Sequence, residues 1–253
     1  MPVAGRLSIL AFYGEYRLDS TPIGNGYLEV VYPDSHKYNI KLVANVIGWA
    51  SIFVKKPLIF ESSGELTSQN GFSPNLYKEN TPRRGQSYVK RDNFKKTLFF
   101  SSTKQSLIYV NTPLHDPLSL IFQLAWLSAQ TSRIEFNKLS SFFVFNRKKL
   151  KELRLTADLP EEIVLPGGII VEAIKIKSTV IESRRPGVMT FWLDPADNFL
   201  PVRISYKEEK TKKTLDFLVI RNDEYFLNEN ETNTQINDSS TIEKKSHHYL
   251  PNY

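Results

Sequence analysis

Residues 116–130, DPLSLIFQLAWLSAQ, constrain this chain more than any other segment, because they read as a greasy helix inside a sequence that otherwise reads as strand. Asp116 is a good N-cap acceptor, and Pro117 falls at the first helical position, where its missing N–H costs nothing. Leu118, Ile121, Phe122, Ala125 and Ala129 form a stripe at helical spacing, while Leu120, Leu124, Trp126 and Leu127 cover much of the rest. Only Ser119, Gln123, Ser128 and Gln130 are polar. A helix of this kind must be covered on most sides, and it is shorter than the ~20 residues that a bilayer span requires.

The surrounding sequence reads as hairpins. Strands are expected over Leu7–Leu18, Tyr27–Tyr32, Tyr38–Ile47, Leu58–Thr67, Asn75–Lys78, Ser87–Asn93, Thr97–Ser101 and Leu107–Val110 before the helix. After it they are expected over Ser141–Phe145, Leu150–Ala157, Ile169–Lys177, Val188–Leu193 and a hairpin from Val202 to Ile220. Thr21 to Gly26 reads as a turn, with Gly24 and Gly26 as turn residues, and Asn70-Gly71 is a strong hairpin signal. The fold class expected is mainly β: a curved antiparallel sheet or half-open β-barrel with the single apolar helix 116–130 packed in or over it, since a large flat sheet would expose its greasy face. Residues 1–220 form one domain in this reading, and 221–253, rich in Asn, Glu, Thr and Ser, form a disordered polar tail.

Composition narrows the function classes. There is no cysteine, which removes disulfides, thiolate metal sites and a cysteine nucleophile. The net charge of +6 comes from lysines that alternate with leucines around 148–154 or mix with glutamates around 207–213, as on solvated sheet faces and protected edges. No RNA-binding aromatic signature or zinc-finger spacing accompanies that charge, so nucleic acid is not an expected partner. No apolar run is long enough for an integral membrane helix. Arg6 and the LSILAFY that follows resemble a very short signal core, but they lead straight into strand-like sequence without a small-residue cleavage site.

Enzyme signatures are absent: there is no G-x-S-x-G, H-E-x-x-H, Walker loop or G-x-G-x-x-G. His115 beside Asp116 could form an acid–base pair, yet Asp116 already serves as the cap, so no catalytic residue is assigned. Asp194-Pro195-Ala196-Asp197-Asn198 reads as a tight turn rather than a calcium loop, and no metal or cofactor is expected. Trp49, Phe60, Phe122, Trp126, Phe191 and Trp192 make an aromatic set whose first role is core packing. Where a curved sheet meets one helix an apolar cleft can form, and the candidate ligand-binding residues are Phe60, Leu118, Phe122, Trp126 and Trp192, with Trp126 expected near a wet rim.

Several short motifs carry a resemblance. Ser62-Ser63-Gly64, Asn70-Gly71-Phe72-Ser73-Pro74, Asp116-Pro117-Leu118-Ser119 with Gln123-Leu124, Phe191-Trp192-Leu193-Asp194 and Leu200-Pro201-Val202-Arg203-Ile204 fall in the order seen in the bacterial family called domain of unknown function 3108. The sequence resembles that family over roughly residues 10–220, most specifically in the last two motifs. The resemblance implies an exported, periplasmic protein of Gram-negative bacteria with a half-barrel similar to lipoprotein carriers. It supplies no catalytic residues. The family's usual N-terminal signal or anchor is not evident from Met1 onward, so either the true start lies upstream, which is the favoured expectation, or the protein stays inside. The function expected is a non-enzymatic periplasmic protein that binds a lipid or acyl ligand, or a lipoprotein, between sheet and helix. The alternative is a structural or protein-interaction module of the cell envelope without a small ligand.

Overall fold

The structure is a computed structural model and describes residues 6–48, 51, 54–109, 113–139, 141–180, 187–208 and 210–221. The first half is a run of strands, β1 (Arg6–Tyr13), β2 (Gly24–Asp34), β3 (Lys37–Val46), β4 (Leu58–Thr67), β5 (Gly71–Thr81), β6 (Gly85–Asp92), β7 (Thr97–Phe100) and β8 (Gln105–Ile108). A two-residue strand β9 (Leu114–His115) leads into helix α1 (Pro117–Gln130) and a short helix α2 (Arg133–Asn137). The second half is β10 (Phe142–Phe145), β11 (Leu150–Val164), β12 (Ile170–Val180), β13 (Gly187–Asp194), β14 (Leu200–Glu208) and β15 (Thr214–Val219).

All strands among the described residues join one 15-stranded sheet in the order β8-β7-β6-β5-β4-β3-β2-β1-β15-β14-β13-β12-β11-β10-β9. Each strand therefore pairs with its neighbour in sequence, except where β1 meets β15 and closes the two halves together. The pairing is antiparallel throughout apart from β9 beside β10. The sheet curls without closing, and α1 lies inside the curl, touching β3, β4 and β5 on one side and β14 on the other. The expected fold class, a mainly β curved sheet with one apolar helix packed in it, is the one observed.

The sequence reading departs from the structure in places that have physical causes. Gly24 and Gly26 are not turn residues but lie inside β2, opposite Val46 and Ala44. A Cβ on Gly26 would overlap the Val43 carbonyl, so the strands approach there only because glycine has no side chain. β1 stops at Tyr13 rather than Leu18, while β5 and β11 run well beyond Asn75–Lys78 and Leu150–Ala157. Helix α2 was not anticipated. Its signal is a capping box, with the Ser132 hydroxyl accepting from the Glu135 N–H and the Glu135 carboxylate accepting from the Ser132 N–H. The expected tail from 222 onward, and Trp49, lie outside the described residues.

Two apolar clusters occupy opposite faces of the sheet. The main one surrounds α1 and includes Leu28, Val30, Tyr38, Ile40, Phe72 and Phe191. The other gathers Ala11, Tyr13, Ile163, Leu165, Trp192 and Leu218 on the reverse face. Strand alternation alone would keep each strand loyal to one cluster on each side. A register shift between Ala157 and Pro160 instead turns β11 over, so that Leu153 and Leu155 serve the helix side while Ile163 and Leu165 serve the reverse.

Candidate functional site

The interface between α1 and the sheet holds the molecule's principal buried polar network. Asp116, fully buried, caps α1 by accepting from the Leu118 N–H at 2.8 Å and the Ser119 N–H at 2.9 Å. The Ser119 hydroxyl accepts the Asp116 N–H at 2.9 Å, completing a reciprocal cap. The remaining Asp116 oxygen accepts from the Ser62 hydroxyl at 2.5 Å, which ties the start of the helix to the middle of β4. The Tyr38 hydroxyl stands 3.4 Å from Ser62 Oγ. One turn further along, Gln123 Oε1 accepts the Phe72 N–H at 2.7 Å and its Nε2 donates to the Asn70 carbonyl at 3.2 Å. Gly71 lies beneath this amide with φ +68°, and a Cβ there would overlap the Gln123 side chain. Asp116 at the cap and Gln123 within the helix thus fasten it to β4 and to the β4–β5 turn.

Burial sets the electrostatics. Desolvation pushes the Asp116 carboxyl up to about 6, although hydrogen bonds from Ser62, Ser119 and Leu118 oppose the rise. Desolvation, with a smaller contribution from Arg91, pulls His115 down to about 3. His115 is therefore a neutral imidazole near neutral pH, and neither ring nitrogen has a hydrogen-bond partner among the described residues. Burial also raises the Tyr38 hydroxyl well above its ordinary range. Arg91 reaches the edge of this region, donating to Ser73 Oγ at 2.7 Å and to the Tyr109 hydroxyl at 2.8 Å.

Serine, histidine and aspartate meet here, but the geometry is not that of a nucleophilic triad. In a triad the histidine bridges the other two, whereas here Ser62 donates directly to Asp116 and His115 bonds to neither. All three side chains are buried. What the arrangement does is seat a helix.

Four of the five candidate ligand residues share this region. Leu118 and Phe122 are buried in the main cluster, and Phe60 and Trp126 are partly buried against it. Phe122 packs on Phe72 with ring centroids 5.7 Å apart. It also walls a narrow slot of about 30 Å³ between α1 and strands β1, β2, β14 and β15, lined by Leu10, Leu28, Val30, Ile204 and Phe217 among others. Trp126 is partly buried, at the point where α1 begins to be more accessible toward Gln130.

Trp192 is the exception and requires correction. It follows Phe191 on β13, so its side chain points to the opposite face from the helix. There it is 7% exposed, its indole N–H donates to Glu161 at 2.6 Å, and its ring lies between Lys175 and Arg203 at 5.3 and 4.7 Å. Arg203 continues to the buried Asp216 at 2.9 Å. Trp192 is thus the centre of an outer-face lattice of cations and rings. Nearby, Asp194 and Asp197 form the expected tight turn, with Asp194 accepting the Ala196 N–H at 2.8 Å. The Arg221 guanidinium reaches both carboxylates, at 2.7 and 3.2 Å, and takes the place a cation would need.

Sequence reasoning missed Ser62 and the purpose of Gln123. Ser62 had a faint signal, a polar residue at an inward position two along from Phe60. No family model matches this chain, and no curated protein does. Among solved structures, a Bacteroides fragilis protein described by its YmcC-like fold is similar at 11% identity over 87% of this chain and 96% of that one, with a TM-score of 0.33.

Proposed function

We propose that this chain is a non-enzymatic protein-interaction module of the bacterial envelope whose interior is filled by its own helix. One observation carries this reading: the space between α1 and the sheet is a slot of about 30 Å³, whereas small-molecule sites occupy roughly 300–1,000 Å³. A slot of that size has room for a water molecule but not for an acyl chain. The envelope location rests on the resemblance to domain of unknown function 3108. No helix among the described residues is long and apolar enough to cross a membrane, which accords with a module that does not span by helices.

A second reading keeps the expected lipid, acyl chain or lipoprotein as ligand. It is favoured by the apolar lining of the slot and by Phe60 and Trp126, which are only partly buried against the main cluster. This reading requires α1 to move away from β1, β2 and β14. Native mass spectrometry and organic extraction of detergent-free protein separate the two. The filled interior predicts the mass of the bare chain and no stoichiometric lipid; a hydrophobic adduct at one per chain would overturn it and establish the second reading.

A further inference from the structure

The two edges of the sheet are treated differently. β9 is buried, with Leu114 and His115 inside the core and β5 alongside. β8, at the other edge, is exposed along its whole length, with Leu107 41% and Ile108 80% accessible. The Tyr109 N–H donates to the Lys96 carbonyl at 3.0 Å, which makes Leu98/Leu107 and Phe100/Gln105 the other hydrogen-bonded pairs of this ladder. The N–H and C=O groups of Ser106 and Ile108 consequently point out of the sheet.

Facing this edge is a hollow of about 420 Å³, bounded by Phe100, Gln105 and Leu107 on one side and by Lys148, Lys149 and Leu150 of the β10–β11 hairpin on the other. It is the seam where the curled sheet fails to close. The Ser102 hydroxyl donates to the Arg147 carbonyl across one end of it. The surroundings are basic: Lys148 and Lys149 line the hollow, Lys104 sits at the β7–β8 turn, and Lys95 and Lys96 sit at the β6–β7 turn. Burial lowers the Lys151 ammonium below its ordinary range, and the charge of Lys149 lowers it further.

We propose that β8 and this seam dock an extended, acidic segment of a protein partner, which adds a strand to the sheet. The proposal deepens the interaction-module reading and rests on it. Outward backbone groups supply the ladder, Leu107 and Ile108 supply apolar contact on alternate faces, and the lysines select carboxylates on the incoming strand. The same lysines oppose a second copy of this chain in that place, since a two-fold pairing of β8 with itself would bring like charges together.

The test uses the full chain with two fluorescein-labelled peptides of equal length, one alternating valine and glutamate and the other alternating valine and lysine, read by fluorescence anisotropy. The valine–glutamate peptide is expected to bind saturably and the valine–lysine peptide to bind at least about tenfold more weakly. Ile108→Pro deletes an outward N–H that β7 does not use, so it should abolish binding while the melting temperature stays near the wild-type value. Lys148→Glu combined with Lys149→Glu should reverse the peptide preference. No saturable binding of the acidic peptide, or binding indifferent to both variants, would overturn the proposal. Self-association of the chain that Ile108→Pro dissolves would overturn it too and give the edge to a second copy. Lipid extraction from the same preparation keeps the two failures apart: a lipid-free protein that ignores the peptide loses only this docking surface, whereas stoichiometric lipid removes the filled-interior reading whatever the peptide does.

Discussion

Phe122→Ala is expected to lower the unfolding free energy by about 3–5 kcal/mol, the usual cost of truncating a well-packed core phenylalanine. The cost falls at the upper end where neighbours cannot collapse into the vacated space. Here they cannot collapse easily, because Phe122 stands between two rigid parts of the sheet. On one side it meets the Phe72 ring, and on the other it walls the slot formed by Leu10, Leu28, Val30, Ile204 and Phe217. Truncation would merge the vacated volume with that slot and leave an apolar cavity lined from several strands. Denaturant unfolding of the variant measures the effect. A loss below about 1 kcal/mol would mean that α1 is not seated as described, and that the sheet tolerates an empty interior.

The second large effect is a split pH response around α1. His115 is held at about 3 against an ordinary 6.5, so the unfolded chain binds its proton first on acidification. Its contribution to stability is complete above about 6.5 and is lost as pH falls toward 3. Asp116 is held at about 6 against an ordinary 3.8, so the folded chain binds its proton first. Its contribution is complete below about 3.8 and is lost as pH rises through 6. Between pH 7 and pH 5 the histidine costs about 2 kcal/mol and the aspartate returns about 1, so the wild-type protein loses about 1 kcal/mol. His115→Phe removes only the first effect and should gain about 1 kcal/mol over that range. Asp116→Asn keeps an N-cap, removes only the second effect, and should lose about 2. At pH 7 His115→Phe should be close to neutral, because both ring nitrogens lack partners to be orphaned. Stability curves at pH 7 and pH 5 decide the matter; parallel slopes for the two variants would show that His115 and Asp116 do not carry the pH response of this region.

The helix was legible because its evidence is local. Asp116 and Pro117 set its start within a few residues of sequence, and the spacing of Leu118, Phe122 and Ala125 marked the side that all three indeed bury. Hairpins were legible for the same reason, with Asn70-Gly71 turning β4 into β5. Non-local geometry was not legible. The bond from Ser62 to Asp116 spans 54 residues and that from Gln123 to Phe72 spans 51, and nothing in either neighbourhood names the partner. Grouping Trp192 with Phe122 failed because an aromatic pair on a strand divides between two faces, and only the tertiary arrangement says which face meets the helix. Gly26 failed for a related reason, since a glycine required by a neighbouring strand looks in sequence like a glycine required by a turn. The open edge at β8 was likewise invisible, because edge status is a property of sheet order and not of the tetrapeptide Gln-Ser-Leu-Ile.

On the filled-interior reading, α1 is a permanent part of the core and not a lid. Native-state hydrogen exchange at the backbone amides of Leu120 to Leu127 addresses this directly, with the amide of Ile40 on β3 as the internal reference. These helix amides are expected to open only with the whole domain, at the free energy obtained from denaturant unfolding. Exchange of the helix through a cheaper opening, while Ile40 stays protected, would contradict it and show a helix that lifts from the sheet to admit a guest.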